Sequence, residues 1–245
     1  MEVRVVMVEP EKEGNVGGVA RVMKNFSAKQ LYLVKPKVTL GAEARAYAAH
    51  AVDILEGARI ASSLKEALEG ATVIVGSTAK IAKGPSNLRR ITVFPAELAR
   101  LLSRFREGVV AILLGRESIG LLNEELEVCD VVVTIPANPE YPVLNVVTAA
   151  AVILYELYKA FKVEGKVSYA KPADRRVVES AISHFEALMK ASGLRDARLK
   201  LTVAALKNVL GRGFLAKREA SLLAGGFRKA LLKVTSTASD ASTST

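Results

Sequence analysis

The sequence predicts an α/β protein: a mostly parallel sheet covered by helices on both faces, followed by a small all-α extension. Three observations lead there. The strand-like segments are continuous apolar runs, as expected of strands buried on both faces. They alternate with helical segments, the pattern of βαβ units. Beyond residue 161 the strand-like runs stop, and apolar residues recur only at helical spacing.

The elements follow in order. Val3–Val8 reads as a buried strand and Val16–Ala28 as a helix. Leu31–Val34 is a second strand, Ala42–Ala51 an Ala-rich helix and Leu64–Leu68 a short helix. Thr72–Gly76 is a third strand. Pro95–Phe105 opens a helix with proline in its first turn, where the missing N–H costs little. Val109–Leu114 and Val131–Ile135 are further strands, and Leu144–Phe161 is a long apolar helix that ends the first domain, residues 1–161. Residues 162–171 are polar and lead to Pro172, which reads as a linker. Residues 172–234 form a helical extension. Asp174 is placed to cap a helix over 175–192, and helices follow over 196–210 and 215–233, with Val203, Leu206 and Leu210 on one stripe. Residues 235–245 are poor in apolar side chains and read as a disordered tail.

Composition narrows the function. The 245 residues include one Cys, two His and no Trp, which excludes an internal disulfide and argues against a zinc cluster. No apolar run reaches the roughly 18 residues of a membrane span, and Met1–Arg4 carries no signal pattern. A soluble, cytoplasmic, metal-free protein is the expectation. Asn and Gln number seven and one, a depletion of thermolabile amides that fits a heat-adapted chain. Residues 1–161 hold 19 basic and 18 acidic side chains, whereas residues 162–245 hold 16 and 7. A basic module joined to a neutral one points to a polyanion partner; the alternative is a solvated helical surface.

Common nucleotide motifs fail. The first strand is followed by no G-x-G-x-x-G, and the second runs into Lys35 with no acid for a ribose hydroxyl, so a dinucleotide site is excluded. No P-loop exists. Ser77, Ser118 and Cys129 have no His partner in any recognised pattern, which argues against a nucleophilic triad. Three segments stand out together. Gly14–Phe26 (GNVGGVARVMKNF) places Arg21 and Asn25 four apart on one helix face, suited to phosphate and sugar oxygens. Leu113–Leu126 (LLGRESIGLLNEEL) and Ile135–Leu157 (IPANPEYPVLNVVTAAAVILYEL) begin as loops at the carboxyl ends of strands, where open α/β sheets bind ligands.

These three segments, in this order, resemble the three motifs of the SPOUT superfamily of S-adenosylmethionine-dependent RNA methyltransferases, in its ribose 2′-O-methylating, TrmH-like branch. Within it, the Asn138–Tyr141 insert and the stretch Leu210–Leu231 (LGRGFLAKREASLLAGGFRKAL) are most similar to the tRNA (cytidine/uridine-2′-O-)-methyltransferases. The resemblance implies a deep trefoil knot, which topology rules would otherwise disfavour, and a homodimer. It implies a pocket for S-adenosylmethionine lined by Ser77, Thr78, Leu114, Gly115, Arg116, Glu117, Gly120, Ile135, Pro136, Val143, Leu144 and Asn145. It implies catalysis by Arg21 with Asn15 and Asn145, and a tRNA substrate methylated at nucleotide 32 of the anticodon loop. RNA contacts would fall on Arg21, Asn25, Arg89, Arg90, Lys207, Arg212, Lys217 and Arg218.

One position departs from the motif. Relatives commonly place Ser directly before the Leu-Asn pair, where this chain has Val143, which cannot hydrogen-bond a ribose or phosphate. Other readings of single residues stay open. Gly17 and Gly18 also suit close helix packing, Glu117 could pair with Arg116, and Asn145 could cap its helix. Tyr155 and Tyr158 read as packing or dimer residues, Cys129 as a small buried hydrophobe, and His50 and His184 as incidental. Arg89 and Arg90 suit a solvated loop equally well. At the level of function, a TrmH-like enzyme acting on rRNA or another tRNA ribose remains an alternative, as does a non-catalytic RNA-binding module with this fold.

Overall fold

A computed structural model describes residues 1–79, 92–105, 107–162, 171–213 and 215–242. Its first compact unit, Met1–Tyr169, is built on a seven-stranded sheet, and its second is Ala170–Thr245. The strands are β1 (Glu2–Val8), β2 (Gln30–Val34), β3 (Arg59–Ala61), β4 (Val73–Ser77), β5 (Thr92–Val93), β6 (Val109–Leu114) and β7 (Val131–Val133). They lie in the order β3-β2-β1-β6-β4-β7-β5, and every pairing is parallel. The central strands are valine- and leucine-rich and buried along nearly their whole length, as runs apolar on both faces require.

The chain builds one side of the sheet outward from β1 and then returns to build the other. The order therefore reverses beside β1, between it and β6 and β4, and such reversals open a crevice at the carboxyl edge. Register aligns the strand ends there: Met7 lies opposite Leu114, Gly76 opposite Leu113 and Ser77 opposite Val133. The ends are also tied together. Ser77 Oγ donates to the Leu113 carbonyl at 2.9 Å, and the Thr78 amide to the Val133 carbonyl at 3.0 Å.

The helices of this unit are α1 (Glu13–Asn25), α2 (Ala42–Ala48), α3 (Val52–Glu56), α4 (Leu64–Ala67), α5 (Pro95–Leu102), α6 (Asn123–Glu127) and α7 (Val146–Lys162). Helix α1 packs against α2 and α7 through two adjacent glycines. A Cβ on Gly17 would lie 2.1 Å from the Ala44 carbonyl oxygen, and one on Gly18 would lie 2.8 Å from Val147 Cγ2. The packing reading of these glycines is thus correct. Phe26, Tyr155 and Tyr158 form an aromatic cluster with ring centroids 5.9 and 6.0 Å from Phe26.

Several boundaries differ from the sequence reading. Helix α1 starts at Glu13, so Asn15 sits in its first turn rather than in a loop. The segment 42–51 is not one helix. It breaks at Ala49, whose φ is +48°, into a 3-10 turn over Ala49–Ala51 and then α3. The short strands β3 and β5 and the helix α6 were not expected.

The second unit contains α8 (Arg175–Ala191), α9 (Asp196–Gly213) and α10 (Lys217–Ser242). Asp174 caps α8 as expected, accepting from the Arg176 amide at 2.8 Å. Phe185 and Phe227 stack α8 on α10 with ring centroids 5.2 Å apart. Val203 and Leu210 are buried and Leu206 half-buried. Helix α10 runs through Ser242, into the stretch that the sequence reads as a disordered tail. There the Thr235 hydroxyl bonds the Leu231 and Leu232 carbonyls and the Ser236 hydroxyl the Lys233 carbonyl, an alternative to solvent for these polar side chains. Of the expected linker, residues 163–170 lie outside the described residues.

Candidate active site

The loops that leave the carboxyl edge converge at the start of α1. The first runs from β1 into α1 (residues 9–12), the second from β6 into α6 (115–122), and the third from β7 into α7 (134–145). These carry the three sequence segments singled out above.

The third loop meets the first turn of α1 through two asparagines. Asn145 caps α7: its Oδ1 accepts from the Val147 amide at 2.8 Å, and its carbonyl accepts the Ala149 amide at 2.9 Å. The same side chain uses its Nδ2 to donate to Asn15 Oδ1 at 3.3 Å. Capping and site assembly are therefore both properties of Asn145, and the cap fixes the direction in which its amide points. Asn15 in turn donates from Nδ2 to Glu117 Oε1 at 3.0 Å, which brings in the second loop. Glu117 Oε2 accepts the Glu11 amide at 2.8 Å. The sequence left open a Glu117–Arg116 pair; the structure gives each a different partner.

Arg116 is 6% exposed and reaches Glu9 and Glu125. Its Nη1 and Nη2 lie 3.0 and 2.9 Å from the two Glu125 oxygens, and its Nη2 and Nε lie 2.9 and 3.2 Å from the two Glu9 oxygens. A guanidinium this buried needs such pairing, because an unpaired buried charge is costly. The two carboxylates, Glu125 first, push the Arg116 pKa up. Arg116, followed by Lys37 at 3.2 Å, holds the Glu9 carboxyl down at about 2. Glu9 also has a left-handed backbone, φ +46°, at a cost of order 1–3 kcal/mol for a side chain of this kind. Its amide donates to the Val34 carbonyl at 2.8 Å, which helps hold that conformation. Glu11 accepts from the Ser118 amide and hydroxyl at 3.0 and 2.9 Å, and these bonds hold its carboxyl below the usual range.

The second loop folds tightly on itself. Arg116 and Gly120 exchange backbone hydrogen bonds at 3.2 and 2.8 Å, and a Cβ on Gly115 would fall 2.1 Å from the Gly120 carbonyl carbon. Only a glycine fits at 115.

Of the remaining expected residues, Ser77, Thr78, Leu114 and Ile135 end the adjacent strands β4, β6 and β7 or follow them closely. Leu144 precedes the Asn145 cap and is half-buried, while Pro136 is exposed. Val143 is 61% exposed and offers the site no polar group. Arg21 and Asn25 are exposed on α1, and among the described residues Arg21 has no ion-pair or hydrogen-bond partner. Its charge is therefore available to an incoming anion. Lys207, Arg212, Lys217 and Arg218 are exposed on α9 and α10 of the second unit. Arg89 and Arg90 lie outside the described residues. Sequence reasoning missed Glu9, Glu11 and Glu125. A partial signal was present: Glu9 and Arg116 each stand just beyond an apolar strand, β1 and β6, so pairing of those strands brings opposite charges together.

Residues 2–155 match the model of the SpoU rRNA Methylase family. The chain belongs to that family. It is a methyltransferase. Among curated proteins of the family's kind, it is 34% identical over 231 residues to the tRNA (cytidine-2′-O-)-methyltransferase TrmJ of Methanocaldococcus jannaschii, covering 92% of this chain and 98% of that one. It is 34% identical over 242 residues to the tRNA (cytidine/uridine/adenosine-2′-O-)-methyltransferase TrmJ of Pseudomonas aeruginosa, covering 91% of each. Among solved structures it is similar to TrmJ from Z. mobilis ZM4, with a TM-score of 0.68, 25% identity, and 94% and 99% of the two chains covered. These similarities extend over both compact units, so the helical extension is shared with such methylases and is not an isolated addition.

Proposed function

We propose that this SpoU-family methylase transfers a methyl group from S-adenosylmethionine to a ribose 2′-hydroxyl of tRNA, at nucleotide 32 of the anticodon loop, on cytidine and/or uridine. It would act in the cytoplasm as a homodimer whose carboxyl edge is threaded as a trefoil knot. The observation that carries the reading is the chain of bonds Asn145–Asn15–Glu117, which joins the three motif loops at one point on the helix that also bears the exposed Arg21. The named activities of the relatives above support the tRNA ribose as substrate.

The residues present fit the methyl donor. An adenosine needs apolar flanks and backbone polar groups. The ends of β6, β4 and β7 supply Leu114, Gly115, Ser77, Thr78 and Ile135, with Leu144 just before α7. Gly120, φ +74°, has nothing within 4 Å of where a Cβ would be, so the surface beside this loop is open. When bound, S-adenosylmethionine supplies a methyl group already activated on a sulfonium.

What remains for the protein is alignment and charge. Holding a ribose oxygen in line is worth about 7–11 kcal/mol. Arg21 suits the role of phosphate clamp, because its guanidinium is unpartnered among the described residues and its fork matches a phosphate. The same charge would stabilise an alkoxide developing on the 2′-oxygen. A guanidinium holds its proton as a fixed cation, which suits Arg21 to binding and charge stabilisation rather than to the role of base. With Val143 lacking a polar group, the load falls on Arg21 and Asn145.

Incubation of the protein with S-adenosylmethionine and tRNA transcripts varied at position 32, followed by nucleoside analysis, tests this reading. A 2′-O-methyl nucleoside released from position 32 is expected. Methylation confined to rRNA, or to another tRNA nucleotide, would overturn the assigned target.

A further inference from the structure

The two carboxylates of the first site loop, Glu9 and Glu11, are both engaged by the second loop, yet neither has a part in the chemistry above. The engagement is reciprocal. Glu11 of the first loop accepts from the Ser118 amide and hydroxyl of the second, while Glu117 of the second accepts from the Glu11 amide of the first. Glu9, at the head of the first loop, pairs with the buried Arg116, which itself grips the Gly120 carbonyl at 3.3 Å. Lys37, beyond the end of β2, bridges Glu9 and Glu11 at 3.2 and 3.6 Å.

We propose that Glu9 and Glu11 are positioning residues that lash the 115–120 loop to the start of α1, so that the methyl-donor side and the Arg21 side of the site behave as one rigid body. The inference rests on the donor-site reading given above, but the clamp itself is a property of the protein without donor. Arg21 lies on α1, beyond the point where Glu11 and Glu117 interlock. Asn15 sits in the first turn of that helix and hands its other amide atom to Asn145. A loose 115–120 loop would therefore release Asn15 from Glu117 and shift Asn145 as well. The donor would then bind less tightly, and donor and acceptor would no longer be held in line.

The geometry separates this role from mere stability. Glu9 and Glu11 lie outside the buried core, and neither side chain is packed within a strand. A clamp of this kind should move local exchange and donor affinity while leaving the sheet untouched.

Hydrogen–deuterium exchange on the donor-free full chain reads the clamp directly. In Glu11→Ala, the peptide spanning 115–121 should exchange about tenfold faster, because the Ser118 amide loses its charged acceptor. Exchange in β6 should stay unchanged. Glu11→Gln, which keeps an acceptor oxygen, should recover most of the protection. Titration calorimetry with S-adenosylmethionine should show a donor affinity about tenfold weaker in Glu11→Ala. Adding Ser118→Ala to Glu11→Ala should cost no more than Glu11→Ala alone, since Ser118→Ala cuts only the hydroxyl bond, which Glu11→Ala has already removed together with the amide bond. Glu9→Gln should lower kcat for methyl transfer with tRNA affinity held within about twofold. Equal acceleration of exchange in β6 and in the loop would mean that these carboxylates only stabilise the fold, and would overturn the proposal. Unchanged exchange and donor affinity in Glu11→Ala would overturn it too. A wild-type chain that binds no donor would defeat the donor-site reading instead, while the exchange experiment would still decide the clamp.

Discussion

Adding one methyl group to Gly18 should damage this enzyme in a way that a second substitution repairs, whereas the same change at Gly17 should not be repairable. The Cβ of Gly18→Ala would meet Val147 side-chain carbons at 2.8 and 3.2 Å, contacts that a side chain can yield. The Cβ of Gly17→Ala would meet the Ala44 carbonyl oxygen at 2.1 Å and the Ala48 amide nitrogen at 3.0 Å, which only a separation of α1 from α2 can relieve. Overpacking of this kind costs about 1–3 kcal/mol, offset by roughly 0.5–1 kcal/mol for replacing glycine within a helix. Gly18→Ala should therefore lose about 1–2 kcal/mol, a drop in Tm of about 2–8 °C for a unit of this size. Gly17→Ala should lose more than about 3 kcal/mol. In Gly18→Ala/Val147→Ala the two losses should fall short of additivity by about 1 kcal/mol or more, because the methyl then enters the space the valine leaves. Val147 is two residues beyond Asn145, so pushing α7 away from α1 also stretches the Asn145–Asn15 bond. Methyl-transfer kcat should accordingly fall further in Gly18→Ala than stability alone explains. Differential scanning calorimetry on these variants, Val147→Ala and the wild type decides the matter. Additive losses at Gly18 and Val147, or a Gly17→Ala protein as stable as Gly18→Ala, would refute the reasoning.

Three further outcomes are expected. Arg21→Ala should reduce kcat by about a hundredfold or more while S-adenosylmethionine still binds in calorimetry; near-normal methylation would remove Arg21 from any essential role. The Glu9 carboxyl sits at about 2 in the folded chain against 4.5 for an ordinary glutamate, so its stabilisation is complete above pH about 4.5 and is lost as pH falls toward 2. Glu9→Gln should therefore show a smaller loss of Tm than the wild type between pH about 5 and pH about 2.5, and parallel curves would contradict the Arg116–Glu9 pairing. Replacing Lys207, Arg212, Lys217 and Arg218 together by Ala should weaken tRNA binding and flatten its salt dependence by about 0.7–0.9 for each phosphate no longer neutralised, as read by filter binding at several salt concentrations. An unchanged salt slope would deny the second unit its part in RNA binding.

Much of this architecture can be read from residue type alone, and the failures have physical causes. The runs Val3–Val8 and Val109–Leu114 are short, valine-rich and without sustained polar alternation, as strands buried on both faces are, and they pair with each other near the sheet's centre. Asn145 announced a helix start, and the same amide turned out to reach the first turn of α1, a contact across 130 residues that no local pattern encodes. Strand β3 escaped because Arg59-Ile60-Ala61 is a three-residue edge with Arg59 and Ile60 exposed, too short for a period to register. Helix α6 escaped because its N-cap position is Leu122 rather than Ser, Thr, Asp or Asn. Its start is instead marked by Glu125, whose carboxylate accepts the Leu122 amide at 2.7 Å. The clamp residues Glu9 and Glu11 drew no assignment from the sequence, which does not say that Arg116, Ser118 and Lys37 end up beside them. The expectation of a knot and of a dimer rests on the family resemblance alone, because nothing in hydrophobic periodicity records how a chain threads.

The most direct test of the central claim is methyl transfer to a tRNA whose nucleotide 32 carries 2′-deoxyribose in place of ribose, compared with the all-ribose transcript. The ribose transcript should take up one methyl group at that nucleotide and the deoxy transcript none, although both should bind equally well. Equal methylation of the two would mean that the acceptor is not the sugar hydroxyl at that position, and the account of this site would be wrong.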